Sequence, residues 1–224
     1  MADFFPDPNT ADPYGLVAVS DTMTPELVVD AYRHGIFPWS TDPVRWYSPD
    51  PRAIFAYENI HLSKRLLREL RANRYRVTFD TRFAEVIRAC AESHAHTGVW
   101  ISELFISTYC ELHERGHAHS VEVWQDDVLV GGLYGVQVNA LYAGESMFHR
   151  VPNASKVAFA YLARHLQAIG VVLFDAQVVN DHTQRLGAVI VRRTDYLRRL
   201  KRALLLQTSF DGKKWALDVP PWER

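Results

Sequence analysis

The stretch from Ser120 to Phe148 constrains the fold more than any other part of the chain. Ser120-Val121-Glu122-Val123-Trp124 alternates in polarity, and Gln125-Asp126-Asp127 then turns the chain. Val128 to Val138 returns as a second apolar run, Asn139-Ala140 turns again, and Leu141 to Phe148 makes a third. Runs of this length separated by short polar turns specify an antiparallel three-strand meander. Gly131, Gly132 and Gly135 fall inside the second strand, where glycine signals a bulge or the close approach of a ligand. A meander has apolar faces to cover, so the helical segments around it must supply the adjoining layers.

Those segments are legible by their caps and spacing. Thr24-Pro25-Glu26 begins a helix with apolar Leu27, Val28, Ala31 and Tyr32, closed by Gly35. Ser63 caps a helix through Asn73 with Leu66, Leu67 and Leu70 on one side. Asp80 or Thr81 starts another, carrying Phe83, Val86, Ile87 and Cys90. Ser102 caps a further helix with Phe105, Tyr109 and Leu112, ended by Gly116. After the meander, Ser155 caps a helix bearing Phe159, Leu162 and Leu166, stopped by Gly170. Strands follow at Val171–Phe174 and Leu186–Val191, and Thr194 starts a last helix with Leu197, Leu200 and Leu204. Residues 1–20, rich in Pro, Asp and Asn, read as an arm lying on the surface or on a neighbouring domain. The dense prolines and aromatics around Ile36–Trp39 and Trp46–Arg52 exclude regular helix: they make a small packed core or a stacking surface for bases. The expected organisation is a small N-terminal domain, 1–55, and a catalytic domain, 56–224. The class is mixed α/β (α+β), with helices, an antiparallel meander, then helix, strand, strand and helix, and it is compatible with an acetyltransferase-like (GNAT-like) core.

With a formal net charge of -1, no global field announces a partner, so charge distribution matters more. Lys64, Arg65, Arg68, Arg71, Arg74 and Arg76 form one basic set, and Arg192, Arg193, Arg198, Arg199, Lys201 and Arg202 a second. A charge run is usually a solvated face, but one dominant sign points to phosphate binding. No apolar run approaches the ~20 residues of a membrane span, and no signal peptide is read at the N-terminus. Cys90 and Cys110 are the only cysteines, each in a helical pattern, so two buried thiols in a reducing cytoplasm are expected.

The polar residues with chemistry to offer sit at Leu173-Phe174-Asp175-Ala176-Gln177-Val178-Val179-Asn180. An apolar strand that delivers an acid and two amides either ends in a helix cap or builds a site. Glu145 is a second acid, on a strand otherwise apolar apart from Ser146. Two such acids can hold an amine, or place one as a base beside an amide. Two motifs tempt and weaken. His113-Glu114-Arg115-Gly116-His117 matches H-E-x-x-H, but Gly116 stands where the helix ends. Gly144-Glu145-Ser146-Met147-Phe148 resembles a hydrolase elbow but lacks its last glycine and lies at the end of a meander.

Several segments together resemble the bacterial leucyl/phenylalanyl-tRNA–protein transferase family. They are Ala31-Tyr32-Arg33-His34-Gly35-Ile36-Phe37-Pro38-Trp39, Trp46-Tyr47-Ser48-Pro49-Asp50-Pro51-Arg52, Trp100-Ile101, His117 to Trp124, Gly131 to Val136, Gly144 to Phe148, Asn153-Ala154-Ser155-Lys156, Asp175 to Thr183 and Leu186-Gly187-Ala188, in that order. The resemblance implies transfer of Leu or Phe, with Met a further candidate, from a charged tRNA to a protein bearing N-terminal Arg or Lys. The product would be an N-degron, made by aminolysis of an ester with no metal or small cofactor.

It also implies roles. Gln177 would meet the attacking amine and Asp175 would polarise Gln177, as base or as orienting group. Leu133, Tyr142, Phe159, Leu162, Leu166 and Phe174 would line the side-chain pocket, and Trp39 and Trp100 would stack on the terminal adenosine. Glu145 and Asn180 would bind polar groups of the aminoacyl-adenosine, with Ser146 in the same binding set. Both basic sets would hold the acceptor stem through phosphates. A cytoplasmic monomer without membrane contact is expected. Three other classes are weighed beside this one: a CoA-dependent N-acetyltransferase, for which the Glu145–Ser155 stretch offers no glycine-rich pyrophosphate loop; a non-catalytic tRNA-binding module; and a zinc hydrolase.

Overall fold

In a computed structural model the described residues are 4–94 and 101–210. Two sheets are present among them. The smaller has three antiparallel strands in the order β1 (Leu16–Ser20), β3 (Val44–Tyr47), β2 (Phe37–Thr41). The expected surface arm thus contributes a strand, and the proline-aromatic region is sheet. Trp46, on the middle strand, is the anchor: it is buried, packs edge-on against Phe5 at 4.9 Å and donates its indole N–H to Ser20.

The larger sheet has seven strands. The meander forms as expected from β6 (Ala118–Gln125), β7 (Val128–Val138) and β8 (Leu141–His149). Asp126, Asp127 and Asn139 take positive φ in its two turns, a conformation that short polar residues tolerate. β5 (Arg76–Phe79) adds to one side. On the other lie β9 (Leu173–Gln177), β4 (Arg52–Phe55) and β10 (Ala188–Val191), giving the order β10-β4-β9-β8-β7-β6-β5. Every neighbouring pair is antiparallel except β8–β9, which is parallel. The protein is therefore mixed α/β with a mixed, mostly antiparallel sheet. Arg52–Phe55, where the N-terminal unit was expected to end, is an interior strand of this sheet, between β9 and β10.

Helices cover both faces. On one, α1 (Pro25–Arg33), α3 (Phe83–His94), α4 (Glu103–Glu114) and α7 (Arg193–Leu204) bury Val28, Tyr32, Val86, Phe105, Tyr109, Tyr196 and Leu200. On the other, α2 (Lys64–Arg71) and α5 (Ala154–Ala168) bury Leu66, Leu70, Phe159, Leu162 and Leu166. Each such apolar side chain contributes about 1.5–3 kcal/mol. Thr24, Ser63 and Ser102 cap α1, α2 and α4 as expected, each accepting a backbone N–H.

Several sequence expectations change. β9 begins at Leu173, not Val171, and runs on through Asp175 to Gln177. α5 is capped by Asn153, in left-handed conformation, and Ser155 lies within its first turn. α3 begins at Phe83, because Thr81 and Arg82 turn their backbone N–H groups to the buried Glu122 carboxylate. β10 begins at Ala188, because the short helix α6 (Asp181–Arg185) takes up the chain before it. Cys90 is buried, but Cys110 is only partly so. The meander glycines serve packing and, at Gly135, the expected irregularity, since the β7–β8 register shifts between Tyr134 and Gly135. A Cβ on Gly131 would lie 2.5 Å from that of Ala154, so this glycine lets α5 rest directly on β7. Among the described residues no helix is long and apolar enough to cross a membrane.

Candidate active site

Strands β8 and β9 pair over three residues, Leu141–Leu173, Tyr142–Phe174 and Ala143–Asp175. Beyond that point the two strands part, β8 running on to His149 and β9 to Gln177. The parting opens a cleft of about 450 Å³. Leu133, Phe159, Leu162 and Phe174 form its apolar wall, together with Phe55, and Glu145, Ser146, Gln177, Asn180 and His182 supply polar groups. Trp39 stands at its margin, 40 % exposed, with its ring 5.5 Å from Tyr47.

Most of the expected catalytic and pocket residues among the described ones line this cleft; Tyr142, Leu166 and Asp175 do not. Tyr142 lies one layer behind, with its ring edge-on to Phe174 at 5.8 Å and its hydroxyl donating to the His119 carbonyl. Leu166 is core beneath α5. The family resemblance assigned both to the pocket, but an apolar side chain serves a core equally well. Trp100 lies outside the described residues. Asn180 lines the cleft, and its side-chain oxygen also caps α6 by accepting from the His182 and Thr183 N–H groups.

Asp175 is fully buried in a strand interior, and it tolerates that place because Arg52 lies beside it on β4. Arg52 donates Nε to Oδ1 at 3.0 Å and Nη2 to Oδ2 at 2.6 Å, a two-pronged ion pair in which both side chains are wholly enclosed. Tyr196 donates its hydroxyl to Oδ2 at 2.7 Å, and the Gln177 backbone N–H donates to Oδ1 at 2.8 Å. Arg52 gives its remaining Nη1 to the Gly35 carbonyl, with Phe37 and Tyr196 rings against its plane. Gly35 has φ +76, and a side chain there would strike Leu197 and Tyr196.

Gln177 is the outlier of the strand, with φ +62. A non-glycine residue in that region is uncommon, and such strain gathers at functional sites. Its Nε2 donates to Glu145 Oε1 at 2.8 Å. Tyr32 donates to the same oxygen, and Tyr109 donates to Oε2 at 3.3 Å. Burial pushes the Glu145 carboxyl up to about 7, with the nearby Asp175 charge acting in the same direction, while hydrogen bonds from Tyr32, Tyr109 and Gln177 hold it down. Asp175 therefore meets Gln177 through the backbone, and the Gln177 amide meets Glu145.

Sequence reading missed Arg52, Tyr32, Tyr109 and Tyr196 as site residues. Arg52 carried a usable signal: a charge opening the apolar run Ala53-Ile54-Phe55, in a chain with an acid in a second apolar run. The tyrosines carried none, since each sits at an apolar helix position.

The remaining motifs resolve as follows. His113 closes the last turn of α4 with its ring stacked on Phe83 at 4.5 Å and Nδ1 against the Ala118 carbonyl, while Gly116 has φ +75 and separates it from His117. Ser146 sits within β8, paired with Tyr134. The side chains of the first basic set are exposed, Arg65 of α2 beside Glu69 and Arg76 of β5 beside Asp127. In the second set Arg193 is held inward, donating to the Ser48 carbonyl. The two sets lie on opposite helical layers of the sheet.

The chain matches known proteins along most of its length. The family model described as leucyl/phenylalanyl-tRNA protein transferase covers residues 54–201, and the model for that transferase's N-terminal domain covers 21–50. The leucyl/phenylalanyl-tRNA–protein transferase of Cellvibrio japonicus is 50 % identical over 88 % of this chain and 86 % of its own. That of Pseudomonas syringae pv. syringae is 47 % identical over 89 % of each. Among solved structures, a C-terminal DUF2156 domain from Agrobacterium fabrum aligns with a TM-score of 0.37 at 12 % identity, over 75 % of this chain and 56 % of that one. On the family matches and the identity to these relatives, the chain belongs to the leucyl/phenylalanyl-tRNA–protein transferase family.

Proposed function

We propose that this protein transfers Leu or Phe, with Met a further substrate, from an aminoacyl-tRNA to the α-amine of a protein beginning with Arg or Lys, and so creates an N-degron. The observation that carries this reading is one juxtaposition. An apolar slot of Leu133, Phe159, Leu162 and Phe174 opens beside the Gln177 amide and the Glu145 carboxylate, where β8 and β9 part. The ester of an aminoacyl-tRNA is already activated, so holding it beside an amine supplies much of the rate.

In this reading the side chain of the transferred residue enters the slot, and Trp39 and Trp100 stack on the terminal adenosine. Ser146 and Asn180 bind polar groups around it. Gln177 Nε2 is engaged with Glu145, which leaves the amide oxygen to accept a hydrogen bond from the attacking nitrogen. Asp175 orients: four hydrogen bonds saturate its oxygens, and it holds the Gln177 backbone in place. The exposed cations Lys64, Arg65, Arg68, Arg71, Arg74, Arg76 and Arg192 hold the acceptor stem.

The division at about residue 55 belongs to the same reading, supported by the two matched models parting between residues 50 and 54. So does an acetyltransferase-like core, supported by the diverging parallel pair. The setting proposed is a cytoplasmic monomer. The test is transfer of radiolabelled Leu or Phe from charged tRNA to peptides beginning with Arg, Lys or Ala. Label on the first two and not the third is expected; label on none would refute the reading.

A further inference from the structure

Two carboxylates lie near the Gln177 amide, and their surroundings differ in a way that assigns different work to each. Asp175 does not line the cleft, and each of its oxygens accepts two hydrogen bonds, one of them from a guanidinium. To take a proton it would have to break a buried ion pair, which costs several kcal/mol. Glu145 lines the cleft. Its Oε1 accepts from Tyr32 and Gln177, whereas among the described residues Oε2 accepts only the long 3.3 Å bond from Tyr109.

We propose that Glu145 is the proton acceptor of the transfer reaction, receiving the proton at Oε2, and that Asp175 is a positioning residue. This inference rests on the aminoacyl-transfer reading above. The acceptor's α-ammonium, with an ordinary pKa of about 7.7–8.0, must lose one proton before it can attack. The neutral nitrogen then forms a bond to the ester carbonyl carbon and, in the tetrahedral adduct, loses a second proton to the Glu145 carboxylate. The carbon–oxygen bond to the tRNA ribose breaks, and the Glu145 carboxyl returns its proton to the departing ribose oxygen. No oxidant or co-reactant is needed, and the carboxylate is regenerated.

A carboxyl held near 7 suits both halves of this exchange, since an acid–base group works best when its pKa lies near the working pH. The titratable and charged groups that face Glu145 are Tyr32 from α1, Tyr109 from α4, Tyr134 from β7, Tyr142 from β8, and Asp175 from β9 with Arg52 behind it. Cys90 of α3 lies beyond Ser146. Burial raises the pKa of all four tyrosines and of Cys90, so these hydroxyls and this thiol stay neutral at the working pH; of the cleft's histidines, burial holds the His182 imidazole below its ordinary value.

The experiment measures kcat/KM for an Arg-initiated peptide from pH 5.5 to 9 with the full chain and Phe-tRNA, together with the Kd for Phe-tRNA. The wild type should lose activity on the acid side through two ionisations, that of Glu145 and that of the peptide amine. Glu145→Gln should be slower by about 10²–10⁴-fold at pH 8, should show only the amine's ionisation, and should bind Phe-tRNA within about threefold of wild type. A Glu145→Gln protein that keeps both ionisations, that works within threefold of wild type, or that fails through tRNA affinity alone would overturn the assignment. Tyr32→Phe is the second probe. It removes a hydrogen bond that favours the Glu145 anion, so the lower ionisation should move up by about one unit, and an unmoved limb would also overturn it. A wild type that labels no peptide would remove the reaction and this assignment together, whereas an active wild type with an unaltered Glu145→Gln profile would remove the assignment alone.

Discussion

Replacing Arg52 by Met isolates the physics on which the site stands. Met roughly fills the space of the arginine stem, so the change removes a charge and leaves most of the packing. Asp175 would lose both guanidinium bonds, at 3.0 and 2.6 Å, and keep Tyr196 and the Gln177 N–H. Both partners are wholly enclosed, so water cannot take over from the missing cation. Breaking such a pair from one side costs about 3–5 kcal/mol. For a chain of this size each kcal/mol moves the melting midpoint by about 2–4 °C, which predicts a fall of about 6–20 °C. Removing both charges, as Arg52→Met with Asp175→Leu, leaves no orphaned ion and should recover at least half of that loss. The assay is a double-mutant cycle read by urea unfolding in parallel with heat. The double variant should stay inactive, because nothing then holds the Gln177 backbone. Additive losses across the cycle, or a single-variant cost below about 1 kcal/mol, would refute the claim that this pair organises the sheet around Gln177.

Other expectations follow from the same geometry. Leu162→Ala should lower kcat/KM for Leu-tRNA relative to Phe-tRNA by about 5- to 150-fold, since fitting an apolar side chain is worth about 1–3 kcal/mol; equal losses on both would place Leu162 in the core alone. Because the two basic sets lie on opposite layers, one straight acceptor stem would engage mainly one of them. Neutralising Arg65, Arg68 and Arg71 should flatten the salt dependence of tRNA binding by about 0.9 for each phosphate no longer neutralised, whereas the same change at Arg198, Arg199 and Arg202 should leave it unchanged; the reverse result would move the stem to the other face. Glu145 has a folded pKa of about 7 against an ordinary 4.5, so its protonated form favours the fold: that contribution is full below about 4.5 and is lost as pH rises through 7. Glu145→Gln should therefore be more stable than wild type at pH 8 by up to about 3 kcal/mol, a gap that closes toward pH 4.5 in urea titrations.

Local signals decided much of this protein in advance. The meander could be read because alternation and turn residues are properties of neighbouring positions, and the caps Thr24, Ser63 and Ser102 because a cap bonds within its own turn. Asp175, Gln177 and Glu145 were visible as polar residues in apolar strands, an arrangement that demands partners. What those partners are could not be read. Arg52 lies 123 residues from Asp175 in the chain, and Tyr32 lies 113 from Glu145. Only tertiary packing sets them side by side: β4 is inserted next to β9, and α1 is laid where Tyr32 reaches Glu145, midway along β8. For the same reason the sequence offered two equivalent acids, and tertiary packing separated them. One is saturated by a buried guanidinium, and the other lines the cleft with one oxygen held only by a long hydrogen bond. The difference between an anchored anion and a working base is one of solvation and hydrogen-bond saturation, which no single stretch of chain encodes.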